Sequence, residues 1–512
     1  MKRRRGLIVG IAGSAVLAMA TTAAPALAQP NPNSGKKLAA AVSVDNIMKH
    51  LEAFDSIAEA NDGNRAAGTS GYEATAQYVE GQLTEAGYET TRQYFTFFFE
   101  ETHESSLTQN VGGTVSAIAN TPMAYSPPTL DGGVTGTLVQ PANPIGCSAA
   151  DWGGVDATGQ IALVSRGACA FSEKTLAAAA AGAEAVIVYN NAPGILNGTL
   201  GGVNDAFAPT TGVTQSVGTE LLQLPRNATV TFVLDKTMEE RDTFNILAET
   251  NTGRADNVVM VGAHLDGVTT GPGINDNGSG SAAILETAIQ LAKANKVNNT
   301  VRFAWWGAEE LGLLGSEHYV YDLADNDPDA LANIALYLNY DMIASPNYII
   351  GVYDANESTY DAPAPVPAGS IEAERVFTDY FDSIGQPWVD TEFSGRSDYA
   401  AFIEHGIPAT GLFTGADGSK TAAEVELFGG TAGLMYDPNY HTPADDLSNI
   451  NVTALGIMSK AIGFTTGTFA YDTSMVNGKK SAGKSGKPHP GMGKGAGQQG
   501  LPPPAETEAR AA

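Results

Sequence analysis

The chain has 512 residues, 43% hydrophobic and 16% charged, enough to bury a sizeable core in one large domain or two smaller ones. Its net charge is −28, and the body is more acidic still once a basic start and a basic end are set aside. Such a body repels nucleic acid and anionic membrane surfaces, which excludes both as partners.

The first residues, MKRRRGLIVGIAGSAVLAMATTAAPALAQP, place Lys2–Arg5 before an apolar run that ends on Ala26-Leu27-Ala28. This pattern predicts a secretory signal peptide over 1–28 and an extracellular mature protein. A retained anchor fits less well, because the run is short and broken by Thr and Pro. No later segment is long and apolar enough to span a bilayer. Residues 43–60 and 70–87 carry the periodicity of amphipathic helices, and YETTRQYFTFFFE reads as a strand.

The character changes over residues 125–239. GGVTGTLVQ, GQIALVSRG and AVIVYNN are short β-like runs, with SEKTLAAAAAGAEA as a helix between two of them, so a compact β-rich insert is expected. Cys147 and Cys169 both fall in it. An oxidising compartment favours a disulfide between them, two separate buried thiols being the alternative.

From Asn245 onward strands and helices alternate: VVMVGAHLD, GSAAILETAIQLAKAN, TVRFAWWGAEE, GLLGSEHYVYDL and IALYLNYDMI, then two helices over SIEAERVFTDYFDSIG and SDYAAFIEHG. ATGLFTG follows as a strand, and 452–467 as a closing helix. This implies an α/β fold, a mainly parallel mixed sheet covered by helices on both faces. Residues 476–512, rich in Gly, Pro and Lys, are expected to be a disordered tail.

Ligands of such sheets gather beyond the carboxyl ends of the strands. Five segments deliver polar residues there: His264 with Asp266, Asp276, the pair Glu309-Glu310, Asp341, and His441 beside Tyr440. Imidazole and carboxylate suit zinc. Two His and three carboxylates exceed one tetrahedral zinc and match two metals that share a bridging carboxylate. That leaves Glu309 over as a general base. His50, His103, His318, His405 and His489 carry no such company and read as ordinary histidines.

The stretches GAHLDG, GINDNGSGSAAILE, WWGAEELGLLGSEHY, LNYDMI, SGRSDYAAFIEHGIPATGLFTGA and YHTPADDLSNIN closely resemble the secreted bacterial two-zinc aminopeptidases of the leucyl type. The likeness covers residues 42–124 and 240–472, a discontinuous zinc exopeptidase domain, and the insert resembles a protease-associated domain. The resemblance implies that His264 and Asp341 bind one zinc, Glu310 and His441 the other, with Asp276 bridging. A metal-bound hydroxide would attack, Glu309 serving as base and Tyr440 as oxyanion donor. Asp266 would orient His264, and Arg396 and Phe413 match positions near the substrate. It also implies a cis peptide at Asp276-Asn277. The sequence departs from the pattern in lacking a cysteine pair around His441, so the rigidity of that loop is open.

The resemblance implies peptide or protein N-termini as substrates, with a large apolar first residue, and the expected state is a monomer. Calcium stays open, since no segment specifies a site. Three alternatives share the fold. A glutamate-type carboxypeptidase would want an arginine cluster, and Arg396 stands alone. A glutaminyl cyclase would use one zinc, and a receptor-like relative would lack a ligand.

Overall fold

The computed structural model describes residues 34–294 and 296–479. The expected signal peptide, His489 and the chain from 480 onward lie outside them. A ten-stranded mixed sheet forms the centre. Its parallel heart is Asn299–Trp306, Arg254–His264, Ile334–Tyr340 and Ala409–Phe413, in that spatial order. These are the apolar runs expected to be strands, and their alternation feeds two cores. Val259, Val261 and Ala263 point to one, while Val258 and Met260 point to the other.

The first face is covered by helices Val44–Ala60, Ser70–Ala86, Gly280–Leu291 and Val452–Tyr471. The second carries Leu314–Asn326 and the short helix Ala400–Glu404. Each large apolar side chain so buried contributes about 1.5–3 kcal/mol. Antiparallel pairings join further strands to both sides of this heart, so the sheet is mixed.

The expected strand at YETTRQYFTFFFE runs on for 22 residues, Thr90–Val111, paired with a second long strand, Thr229–Glu249. The latter does not read as a strand, because Thr237–Asp242 (TMEERD) is polar and largely solvent-facing where it crosses between two cores. The insert is a five-stranded sheet in the order Thr121–Pro122, Thr210–Val213, Ala185–Tyr189, Ile161–Ser165 and Leu138–Val139. One of its faces shares a core with Leu107, Val230, Phe232 and Leu234 of the long hairpin. Cys147 and Cys169 are joined, closing a loop in this region.

Residues 476–479, expected to open the disordered tail, are docked on the main body. Val476 lies in a short helix, Ser474–Asn477, and packs against the main core. Asn477 Nδ2 donates to Asn257 Oδ1 at 2.7 Å, and Lys479 Nζ to the Asp256 carbonyl at 2.9 Å. Met475 and Val476, two apolar residues among polar ones, are too weak a signal to mark this docking.

Candidate metal centre

Strand register assembles the site. His264 lies opposite Trp306 in the parallel ladder, and Gly262 opposite Asn339. Two residues beyond Asn339 the chain reaches Asp341, and just beyond Trp306 it turns through Gly307-Ala308 into Glu309 and Glu310. Asp276 comes from an irregular turn, Ile274–Ser279, ahead of helix Gly280–Leu291. His441 comes from the loop after Asp437.

These residues form two groups that share one member: His264, Asp276 and Asp341, and Asp276, Glu310 and His441. Asp276 Oδ1 faces His264 Nε2 at 3.2 Å, and its Oδ2 faces His441 Nε2 at 3.2 Å. Asp341 Oδ1 lies 3.3 Å from His264 Nε2, and Glu310 Oε2 lies 2.9 Å from His441 Nε2. Glu309 Oε2 stands 3.9 Å from His264 Nε2, outside both groups. Glu310 Oε1 and Asp341 Oδ1 are buried without a hydrogen bond, an arrangement that a cation would relieve. The donor set, imidazole and carboxylate, suits zinc.

The backbone is strained around this cluster. His441 itself and the neighbours Ala308 and Met342 have φ of 56°, 58° and 49°. Such left-handed residues cost about 1–3 kcal/mol each and persist where the surroundings hold them. The Asp276-Asn277 peptide is cis, as the resemblance implies.

Asp266 is oriented differently from the expectation. His264 Nδ1 bonds its backbone carbonyl at 3.0 Å, while its carboxylate lies 3.8 Å from that nitrogen. The carboxylate instead accepts the N–H groups of Glu309 and Glu310, at 3.2 and 3.4 Å. The strand end curls so that the carbonyl reaches the ring first. Ser397, overlooked in the sequence although it adjoins Arg396, donates to Asp341 Oδ2 at 2.6 Å and accepts from Asn339 Nδ2 at 2.8 Å.

The loop that bears His441 is held without cysteines. Asp437 accepts Asn275 Nδ2 at 2.7 Å and Asn449 Nδ2 at 2.9 Å. Asp445 accepts the N–H groups of Asn275 and Asp276 at 2.8 and 3.0 Å. Two buried carboxylates thus tie this loop to the segment of Asp276.

The electrostatics are those of a ligand cluster sharing protons. Burial opposes charge on His264, but Glu309, Asp341 and Asp276 carry its pKa well above the imidazole range. Burial likewise opposes charge on His441, whose bonds to Asp276 and Glu310 raise it to about 10. Burial, then Asp276, lifts Glu310 to about 7. Burial also lifts Glu309 well above the carboxylate range, against the pull of His264. It would raise Asp276 too, yet the bonds from both histidines hold that group low. A cation bound here would displace these protons.

An open cleft leads to Asp276, Glu309 and Asp341. Tyr440 lines it, its ring stacked on His441 with centroids 3.8 Å apart. Burial, then Asp276 and Glu310, push the phenol pKa above its ordinary value, so it stays a donor. Phe413 is on the wall with Met342 and Ile349. Arg396 is on the rim, half-exposed, its Nη1 3.3 Å from Asp417 Oδ1. The other described histidines are elsewhere: His50 bonds Tyr78, His103 bonds Thr237, His405 bonds a carbonyl of its own helix, and His318 stacks on Phe95.

An α/β sheet with carboxylates and imidazoles meeting at its strand ends, beside an open cavity, has the make-up of a metal-dependent enzyme site. Residues 245–465 match the profile of peptidase family M28, and residues 134–221 that of the PA domain. The chain is 45% identical over 443 residues to a probable lipoprotein aminopeptidase, LpqL, of Mycobacterium tuberculosis, covering 85% of this chain and 87% of that one. It is 40% identical over 462 residues to leucine aminopeptidase 2 of Arthroderma otae, covering 89% and 90%. Among solved structures it resembles a zinc aminopeptidase from Bacillus subtilis, BSAP, with a TM-score of 0.55, 26% identity, and coverage of 83% and 94%. The chain belongs to peptidase family M28 and is a metallo-aminopeptidase with an inserted PA domain.

Proposed function

We propose that the protein is a secreted aminopeptidase that uses two zinc ions to remove a large apolar residue, of the leucine kind, from peptide N-termini. The observation that carries this is Asp276, whose two oxygens each face one histidine at 3.2 Å. His264 and Asp341 would hold one ion, Glu310 and His441 the other, and Asp276 both. Zinc, when bound, polarises the scissile carbonyl and brings the pKa of a coordinated water toward about 7.

Glu309 stands beside both groups without joining either, which suits a base that must be near the ions yet free of them. It accepts the proton of the attacking water and passes it to the leaving amine as the C–N bond breaks. The Tyr440 phenol donates to the oxygen that gains charge at the carbonyl. Met342, Ile349 and Phe413 offer an apolar wall for the first side chain. Arg396 is read as a rim residue that meets the peptide beyond the cleaved bond. Residues 42–124 and 240–472 are taken as the catalytic domain and 125–239 as the insert.

Export rests on the signal-like start and on the Cys147–Cys169 disulfide, which belongs in an oxidising compartment. Among the described residues no helix is long and apolar enough to cross a membrane.

The test is metal content measured with hydrolysis of leucyl-p-nitroanilide and its N-acetyl form. Two zincs per chain and cleavage confined to the free amine are expected, a gap of at least about 3 kcal/mol in transition-state binding. Equal cleavage of both forms would exclude an aminopeptidase, and one tightly held zinc would remove the shared-carboxylate scheme.

A further inference from the structure

Arg65 belongs to the loop between the two N-terminal helices, far in sequence from every candidate ligand, yet it sits directly beneath the site. It is 0% exposed. Among the described residues no carboxylate forms an ion pair with it, which is unusual for a buried guanidinium. Its partners are three backbone carbonyls on two different segments. Nε donates to Pro272 at 2.8 Å, Nη2 to Gly273 at 2.5 Å, and Nη1 to Leu265.

Leu265 lies between His264 and Asp266, and Gly273 lies three residues before Asp276. One planar fork therefore spans the strand end that carries His264 and the turn that carries Asp276. A lysine, a point donor on a flexible stem, cannot reproduce that geometry. Gly273 leaves room for the fork, since a Cβ there would stand only 3.3 Å from Nη2. From behind, the guanidinium rests over the ring of Phe54, 5.3 Å from its centroid.

We infer that Arg65 is a positioning residue for the metal centre, a three-pronged clasp that fixes the spacing of His264 and Asp276 so that the bridging carboxylate stands between two ions. It forms no ion pair with the candidate ligands, though Asp276 and Glu310 feel its charge through space. The inference rests on the two-zinc reading above and names a part of the chain that reading leaves out. It also gives the N-terminal helices a share in the site, since they deliver the clasp.

The experiment compares wild type with Arg65→Met and Arg65→Lys, as full chains. Zinc affinity is read by competition with a chromophoric chelator, and melting temperature is measured with and without zinc. Arg65→Met should weaken zinc binding about 10–100-fold and shrink the zinc-induced rise in melting temperature. Arg65→Lys, which keeps the charge, should recover only a small part, and it decides the matter if the Met variant does not fold. Equal losses of stability in the metal-free and zinc-loaded forms, with unchanged zinc affinity, would reduce Arg65 to scaffold. Full recovery in Arg65→Lys would show that charge rather than the clasp matters. Either result overturns the inference. A wild type that takes up no zinc would sink the reading of the site itself.

Discussion

The carboxylate of Asp266 accepts the backbone N–H of Glu309 at 3.2 Å, and that of Glu310 at 3.4 Å. It therefore stabilises the turn that presents both the proposed base and a candidate ligand, and that turn is strained at Ala308, whose φ is 58°. The same residue hydrogen-bonds His264 through its carbonyl, its carboxylate standing 3.8 Å from the ring nitrogen. Asp266→Asn replaces one acceptor oxygen by a donor facing an N–H. Activity should fall about 10–100-fold, with metal loss chiefly from the group of Glu310 and His441. Anomalous scattering at the zinc edge would identify the depleted position. Loss confined to the His264 group would mean that the ring, not the turn, is what Asp266 holds.

Glu309 is the carboxylate outside both ligand groups. Glu309→Gln keeps its shape and removes its basicity, so kcat should fall by about 10²–10⁴ while zinc content stays unchanged. Turnover near that of wild type would take Glu309 out of the mechanism.

The Cys147–Cys169 bridge joins residues 22 apart in the sequence. Replacing both by Ser should destabilise the insert by about 3 kcal/mol. Hydrolysis of leucyl-p-nitroanilide at moderate temperature should persist, because none of the site residues comes from that region. A loss of turnover matching the loss of stability would show that the insert shapes the site.

His50 is buried, its Nδ1 2.8 Å from Tyr78 Oη and its Nε2 without a partner. Burial, with a smaller push from Lys49, lowers its pKa from 6.5 to about 4. Between those values the unfolded chain binds a proton that the folded one refuses. This residue's stabilising contribution is therefore intact above about pH 6.5 and lost as pH falls toward 4, about 2 kcal/mol by pH 5. Denaturant unfolding at pH 7 and pH 5 should show a smaller drop in His50→Gln than in wild type. Identical drops would place the acid sensitivity elsewhere.

The ligand group was legible because a buried parallel strand has no structural use for a terminal histidine or acid. Polar residues at the ends of VVMVGAHLD, TVRFAWWGAEE and IALYLNYDM therefore announce a site. What serves those residues was not legible. Ser397 and Arg65 come from segments whose approach only the fold creates, and the reach of Asp266 depends on how the chain curls after His264. The latch of Asp437 and Asp445 onto Asn275 is equally a product of folding, and it answers how a loop without cysteines keeps His441 in place. The strand Thr229–Glu249 was missed since one half belongs to each of two cores and the polar middle to neither.

That strand has a mechanical consequence. With Thr90–Val111 it forms a beam anchored at both ends, by Phe232 and Leu234 in the insert and by Phe244 and Ile246 in the main core. Its inner end also pairs with Asn299–Trp306, the strand that leads into Glu309. The insert is thus not a bead on a flexible string. A load placed on it is borne by the central sheet, and heat should melt the two as a single cooperative body.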